Sequence, residues 1–255
     1  RRMRHLRRSV STWRIALRKY GKPKHSSMIW VIIPAFNEAK SIALVLRDLP
    51  NMVDEVVVVD NKSTDGTADE AEKAGATVLF EAQKGYGYAC LKGIAYLAQK
   101  AKPKDIVVFL DGDYSDYPEE LEQLIDPILK NEALFSLGTR VTPQLEKKAL
   151  TPQQRFGNAL ATQLMKLFYG SRFTDLGPFR AIEWETLEGL KMSDKTYGWT
   201  VEMQLKVLKK NIPYAEIPVR YRPRIGVSKV SGTLRGTLMA GYKILLWIFT
   251  YSLKK

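Results

Sequence analysis

The chain is short of cysteine, of histidine and of long apolar runs. Its 255 residues include one cysteine, Cys90, which excludes an internal disulfide and fits a reducing compartment. The two histidines, His5 and His25, lie near the start, and no chemistry is assigned to them. No stretch reaches the roughly 20 consecutive apolar residues that a membrane-spanning helix needs. Acids are missing from one region altogether. Arg1 to Lys24 holds ten of the 40 Lys and Arg and none of the 27 Asp and Glu. The formal net charge of +13 falls to +3 once that tail is set aside, so the basic character says little about the remainder. No nucleic-acid partner is expected. No apolar core follows the arginines, which argues against a secretory signal. The first residue is Arg rather than Met, so a fragment or a processed form is expected.

A hydrophobic content of 45% supplies a sizeable core, enough for one large α/β domain or two small ones. Within the basic tail, Met3, Leu6, Val10, Trp13, Leu17 and Tyr20 recur at helical spacing and form one apolar stripe among arginines. Such a helix suits an anionic membrane surface. A docking helix, an organelle-targeting segment and a nucleic-acid arm are the alternatives. Gly21 and Pro23 end it.

Strands then alternate with helices. Strands are predicted over 28–33, 56–59, 77–80, 106–110 and 133–138, and helices over 41–49, 67–74, 88–101 and 119–130. The alternation predicts a mostly parallel sheet with right-handed crossovers. A polar loop is expected over 139–153, helices over 155–169 and 197–209, and an extended stretch over 215–221. The helix over 155–169 either faces lipid or packs in the core. An apolar helix over 237–253 is too short to span a bilayer and either lies in the interface or packs on the core. The expected divisions are residues 1–24, a catalytic unit over 25–232 and a C-terminal amphipathic segment over 233–255.

Three of these strands end in polar groups on one edge of the sheet, where ligands of open α/β sheets bind. The first ends in Pro34-Ala-Phe-Asn-Glu38 and the second in Asp60-Asn-Lys-Ser-Thr-Asp-Gly66. The fourth ends in Asp111-Gly-Asp113. Alternation along an extended segment points Asp111 and Asp113 the same way. Two carboxylates there suit Mg²⁺ or Mn²⁺, hard cations that commonly bridge to substrate phosphates. The plain alternative is a polar turn that merely ends a strand, and Ser63-Thr-Asp-Gly66 reads equally as a helix start. Lys84-Gly-Tyr-Gly87 either cradles phosphate at a helix start or forms a tight turn. Cys90 reads as packing.

These residues resemble the family-2 glycosyltransferases of GT-A fold, and among them the dolichol- or polyprenyl-phosphate sugar synthases. The matches are VIIPAFNEAKSI, EVVVVDNKSTDGT, KGYGYACLKGI, VFLDGDYSDYPEEL, TDLGPFRAI and GVSKVSG, from about residue 28 to residue 232. The resemblance implies that Pro34, Ala35, Phe36 and Glu38 line a nucleotide pocket and that Asp60 binds the base or ribose side of the donor. It places Asp111, Gly112 and Asp113 at the metal and the sugar diphosphate, with Gly112 contributing backbone only and ligation falling mainly on Asp113. Lys84 belongs to the donor side. Arg140 sits where relatives place a basic residue near the acceptor phosphate. Arg180 and Lys229 match phosphate-holding positions. Arg222 and Arg224 compete for a further one, because the spacing is off by one.

The chemistry implied is inverting, metal-dependent transfer of a hexose from a nucleotide sugar of UDP-glucose or GDP-mannose type to a lipid phosphate. It would take place peripherally at the cytoplasmic face of a membrane, in cell-envelope or glycan biosynthesis. A partner membrane protein or a second copy of the chain is the further expectation. A phosphate acceptor is already ionised at neutral pH and needs no strong base. A hydroxyl acceptor would need one, and Glu202 is the candidate; its plain alternative is an exposed carboxylate at a helix start. A non-enzymatic binding module is the reading from another class. A nucleotidyltransferase would carry a Gly-rich basic loop after the first strand, which Pro34 to Glu38 lacks.

Overall fold

A computed structural model of the chain describes residues 27–142, 149–226 and 234–253, the side chains of 234–238 and 253 excepted. The basic N-terminal tail and Lys229 lie outside the described residues. Seven strands form one sheet: β1 Ile29–Ala35, β2 Glu55–Asp60, β3 Thr77–Phe80, β4 Ile106–Phe109, β5 Phe135–Thr139, β6 Arg180–Glu183 and β7 Tyr214–Pro218. Their spatial order is β3-β2-β1-β4-β6-β5-β7. All neighbours pair in parallel except β6, which runs antiparallel to both β4 and β5. The helices are α1 Ile42–Asp48, α2 Thr67–Lys73, α3 Tyr86–Leu97, α4 Leu121–Leu129, α5 Pro152–Tyr169, α6 Trp184–Leu190, α7 Trp199–Lys209 and α8 Leu234–Leu253.

Alternating side chains along each strand build two cores. Trp30, Ile32, Val57, Val107 and Phe109 face α3, α7 and α8, together with Trp199, Met203 and Ile248. Ile29, Val31, Ile33, Val58, Ile106 and Val108 face α1 and α4, together with Ile42, Leu124 and Ile125. A fully buried Ile, Val or Phe contributes roughly 1.5–3 kcal/mol over its exposed state, so the central strands hold the sheet. Asp105 pins the entry to β1 and β4: its carboxylate accepts from Met28 N (2.9 Å), Trp30 Nε1 (3.0 Å) and Lys102 N (2.9 Å).

This order fixes where a ligand can bind. The chain winds outward through β1, β2 and β3, then returns to the other side of β1 as β4, so the switch point lies beyond β1 and β4. Because β6 is reversed, it starts on the edge where β4 ends, with Phe109 opposite Arg180. Thr139 and Pro218 end β5 and β7 on that same edge. The 175–179 turn and residues 140 and 219–226 therefore join Asp111 there.

Helix α5 begins at Pro152, three residues earlier than its apolar spacing suggests. Thr151 Oγ1 accepts from Gln154 N (3.2 Å) and Gln154 Oε1 accepts from Thr151 N (2.8 Å), a reciprocal cap. Gly170 ends the helix at φ 62°.

Candidate active site

The loops after β1, β2 and β4 each contain one non-glycine residue with a left-handed backbone: Asn37, Lys62 and Tyr114, at φ 55°, 64° and 62°. Such conformations cost energy and persist where the surroundings enforce them. The first two loops enforce each other. Ser63 Oγ accepts from Asn37 N (2.9 Å), Asn37 Oδ1 accepts from Thr64 N (2.8 Å), and Thr67 Oγ1 accepts from Glu38 N (2.8 Å). The Ser63–Gly66 segment thus braces the loop after β1 and also starts α2. Asp60 is buried, and its Oδ1 accepts from Ser63 N (3.3 Å).

A pocket of about 350 Å³ opens between these loops. Pro34, Ala35, Phe36 and Glu38 line it beside Asp111, Gly112, Asp113 and Arg224. Lys84 lies 4.9 Å from the Phe36 ring centre. Asn61 also lines the pocket. Its Nδ2 donates to Glu81 O (3.2 Å) and Gln83 O (2.7 Å), and its Oδ1 accepts from Gly85 N (2.8 Å), which sets the course of the Lys84–Gly87 segment. The far wall is Thr196 and Tyr197. That wall lies against backbone: a Cβ on Gly87 would stand 2.1 Å from Asp194 O, so only glycine fits.

The two carboxylates of the Asp-Gly-Asp motif meet different partners. Asp111 Oδ1 accepts from Tyr86 Oη (3.0 Å). Asp113 Oδ1 accepts from Ser115 N (2.9 Å) and Oγ (2.5 Å), and its Oδ2 pairs with Arg224 Nη1 (3.1 Å). Arg224 Nη2 reaches Glu38 Oε1 (2.7 Å), so one guanidinium ties the β1 loop to the β4 loop. Backbone pairing delivers it there: Asp113 O accepts from Ile225 N (3.0 Å) and Ser115 O from Arg222 N (3.0 Å). Arg222 and Arg224 take different positions. Arg222 donates to Tyr114 O (2.7 Å) and Asp116 O (3.1 Å) and stacks on the Tyr114 and Tyr117 rings, which shapes the motif's loop.

Burial and the Asp113 charge push the Asp111 carboxyl up to about 7. Asp116 is 2% exposed, and neither of its oxygens has a hydrogen-bond partner among the described residues. Burial, then Asp111 and Asp113, raise it well above the usual carboxylate range. Asp111 and Asp113, crowded by each other and by Asp116, suit a divalent cation. Among the described residues no three acidic, His or Cys groups enclose one. Asp111 and Asp113 would offer two ligands and leave room for phosphate oxygens and water, as Mg²⁺ and Mn²⁺ favour.

A larger cleft of about 800 Å³ meets the first pocket at Asp111, Asp113, Tyr86 and Arg224. Its polar end includes Arg140 and Tyr221, and its body is Phe156, Leu160, Ala161, Leu176, Ile244 and Leu245. Arg140 pairs with Asp175 through Nε (2.8 Å) and Nη2 (2.7 Å). Burial opposes its charge, but Asp175 outweighs that and keeps the guanidinium protonated.

Asp60, Arg180, Glu202 and Arg222 line neither cavity, and two of them are fully buried. Arg180 is fully buried and donates to Gly177 O (3.2 Å), Thr200 O (2.9 Å) and Leu176 O (3.4 Å). Burial pushes it down to about 10. It builds the turn before β6 and the start of α7, and phosphate contact is replaced by that role. Glu202 is neither exposed nor available as a base. It is fully buried and accepts from Ser193 N (2.8 Å), Ser193 Oγ (2.8 Å), Asp194 N (2.7 Å) and Lys206 Nζ (2.6 Å). Glu202→Gln is expected to lower unfolding free energy by about 2–4 kcal/mol, because Lys206 loses its buried counter-charge, while the folded fraction keeps its kcat. Chemical denaturation alongside kinetics checks this.

Asn61, Tyr86, Asp116, Asp175, Thr196, Tyr197 and Tyr221 had no assigned role in the sequence reading. Asn61, Tyr86, Asp116 and Asp175 lie inside the EVVVVDNKSTDGT, KGYGY, VFLDGDYSDYPEEL and TDLGPFR motifs, which carried the available signal.

A mostly parallel sheet with a carboxylate-lined pocket at its switch point is a Rossmann-like, GT-A arrangement. Residues 30–189 match the glycosyl transferase family 2 model, and the chain belongs to that family of glycosyltransferases. It is 28% identical over 221 residues to the undecaprenyl-phosphate mannosyltransferase of Micrococcus luteus, covering 82% of this chain and 89% of that one. It is 29% identical to the dolichyl-phosphate hexose transferase of Haloferax volcanii, covering 78% and 85%. Glucosyl-3-phosphoglycerate synthase from Mycobacterium tuberculosis, solved with Mn²⁺, UDP and phosphoglyceric acid, shares the fold at a TM-score of 0.70 and 18% identity. That match covers 97% of this chain and 84% of the other.

Proposed function

We propose that the enzyme transfers a hexose from a UDP- or GDP-linked sugar to a polyprenyl phosphate, with inversion and with Mg²⁺ or Mn²⁺. The two-ended cleft carries the reading. A phosphate beside Arg140 and Arg224 places an ionised oxygen next to the donor pocket, and the prenyl chain follows the apolar wall between α5 and α8. The acceptor oxygen attacks the anomeric carbon. The bond to the nucleoside diphosphate breaks, and the diphosphate leaves with the electron pair. No proton needs to be removed. A divalent cation bound at Asp111 and Asp113 would neutralise charge developing on the leaving diphosphate. Arg224 sits where it can act on the same charge, Lys84 lines the donor pocket, and Asp60 is proposed for the donor from the resemblance alone. Lys229 is proposed for phosphate contact from the resemblance alone. The relatives' lipid-phosphate acceptors support the same choice.

A membrane surface is the natural location. No described helix is long and apolar enough to cross one. Phe156, Leu160, Leu167 and Phe168 of α5 and Met239, Tyr242, Leu246 and Phe249 of α8 are nevertheless exposed. The Phe168 and Phe249 rings touch edge to face at 5.4 Å, so the two helices present one apolar face beside the cleft.

An acceptor series of increasing prenyl length tests the reading. KM should fall steeply over the first isoprene units, since each buried CH₂ contributes about 0.8 kcal/mol, and then level off. A KM independent of chain length would contradict it.

A further inference from the structure

The segment from Ser193 to Gly198 touches α8 on one side and the donor pocket on the other. Asp194 is its centre. Asp194 Oδ1 accepts from Thr196 N (2.8 Å) and Gly198 N (3.0 Å), which folds the segment into a tight loop. Asp194 Oδ2 accepts from Trp247 Nε1 (2.7 Å) and pairs with Lys243 Nζ (3.4 Å), both on α8. The indole packs against the loop, so that a Cβ on Gly198 would stand 2.4 Å from Trp247 Nε1. On the opposite side, Lys195 O accepts from Tyr88 N (3.1 Å). The loop's backbone also fills the space above Gly85 and Gly87. Thr196 and Tyr197, between these contacts, form a wall of the donor pocket and also line the acceptor cleft. Burial works against the Asp194 charge, but the Trp247 and backbone donors and Lys243 outweigh it, and the carboxylate stays ionised.

We infer that the Asp194–Trp247 hydrogen bond is a positioning link through which the seating of α8 sets the wall of the nucleotide pocket. Trp247 lines neither the donor pocket nor the acceptor cleft. It acts through the loop, so a helix whose outer face is apolar also decides how well the donor is held. The inference rests on the donor-pocket reading above and does not depend on the identity of the acceptor. Helix α8 has a second anchor that bypasses the loop: Tyr169 Oη donates to Ile248 O (2.6 Å) and ties α8 to α5.

These two anchors allow a matched test on the whole chain without acceptor. Binding of UDP and of GDP with Mn²⁺ is measured by calorimetry for the wild type and for Trp247→Phe, Lys243→Met and Tyr169→Phe, with a thermal melt of each. Trp247→Phe keeps an aromatic ring on α8 and removes the donor together with part of the indole's packing, which the melt and the Tyr169→Phe control gauge. It is expected to weaken nucleotide binding roughly fivefold, part of what a hydrogen bond to a charged group supplies. Lys243→Met, which removes the longer contact, should act in the same direction and more weakly. Tyr169→Phe should bind nucleotide as the wild type does, with a comparable change in melting temperature. Equal binding by wild type and Trp247→Phe would overturn the link, and so would equal weakening by Tyr169→Phe, which would mean that general seating of α8 matters. A wild type that binds neither nucleotide would overturn the donor-pocket reading itself and the link with it.

Discussion

Asp113→Asn is expected to lower kcat roughly a thousandfold at saturating Mg²⁺ or Mn²⁺, the several kcal/mol that a cation supplies to a leaving diphosphate. The substitution preserves shape. Ser115 N and Oγ can still donate to Oδ1, so the loop after β4 keeps its course. What is lost is one negative charge at the centre of the site. The same loss relieves the crowding among Asp111, Asp113 and Asp116 that raises the Asp111 and Asp116 carboxyls. Metal-free, the variant gains this relief but loses the Arg224 ion pair, so its melting temperature should stay close to the wild type's, while stabilisation by added Mn²⁺ largely disappears. Thermal melts with and without metal, run beside the kinetics, check both halves. Unchanged activity would remove the metal role from this residue.

Arg224→Met carries the second largest effect, a fall in kcat/KM of about 10²–10³, the scale seen when one preorganised donor to developing charge is removed. Arg224 bridges Glu38 and Asp113 and lines both cavities. Its loss leaves two carboxylates facing a diphosphate with less counter-charge. Arg224→Lys should recover only part of the activity, because a single ammonium cannot span two carboxylates as a planar guanidinium does. Arg222→Met is the contrast. Its guanidinium is spent on the Tyr114 and Asp116 carbonyls and on two rings, so its loss should act through the shape of the loop. A drop of less than tenfold for Arg224→Met would remove it from the charge-stabilising set.

The sequence revealed the left half of the sheet well. Apolar runs ending in Pro34, Asp60 and Asp111 announce parallel strands with polar ends, and the pocket loops follow from topology alone. The right half was harder. Strand β6 is only Arg-Ala-Ile-Glu, too short for a periodic signal, and the charge of Arg180 concealed its complete burial. The same concealment applies to α7. Val201 to Val207 is buried throughout, Glu202, Gln204 and Lys206 included. Glu202 and Lys206 stand four residues apart, so the ion pair was readable from spacing, but its burial was not. The early start of α5 was readable too, in Thr151-Pro152 with Gln154 three residues on. The donor wall at Thr196 and Tyr197 had no local signal. It depends on contact with Gly85 to Tyr88, more than a hundred residues away, and with an indole on α8.

The most direct test of the account supplies labelled UDP-glucose or GDP-mannose with Mn²⁺ and compares three acceptors: a short-chain polyprenyl phosphate, the matching polyprenol and 3-phosphoglycerate. Label passing into the organic phase only with the lipid phosphate, and only with metal, is the expected result. Label on phosphoglycerate or on the polyprenol, with none on the lipid phosphate, would contradict the account.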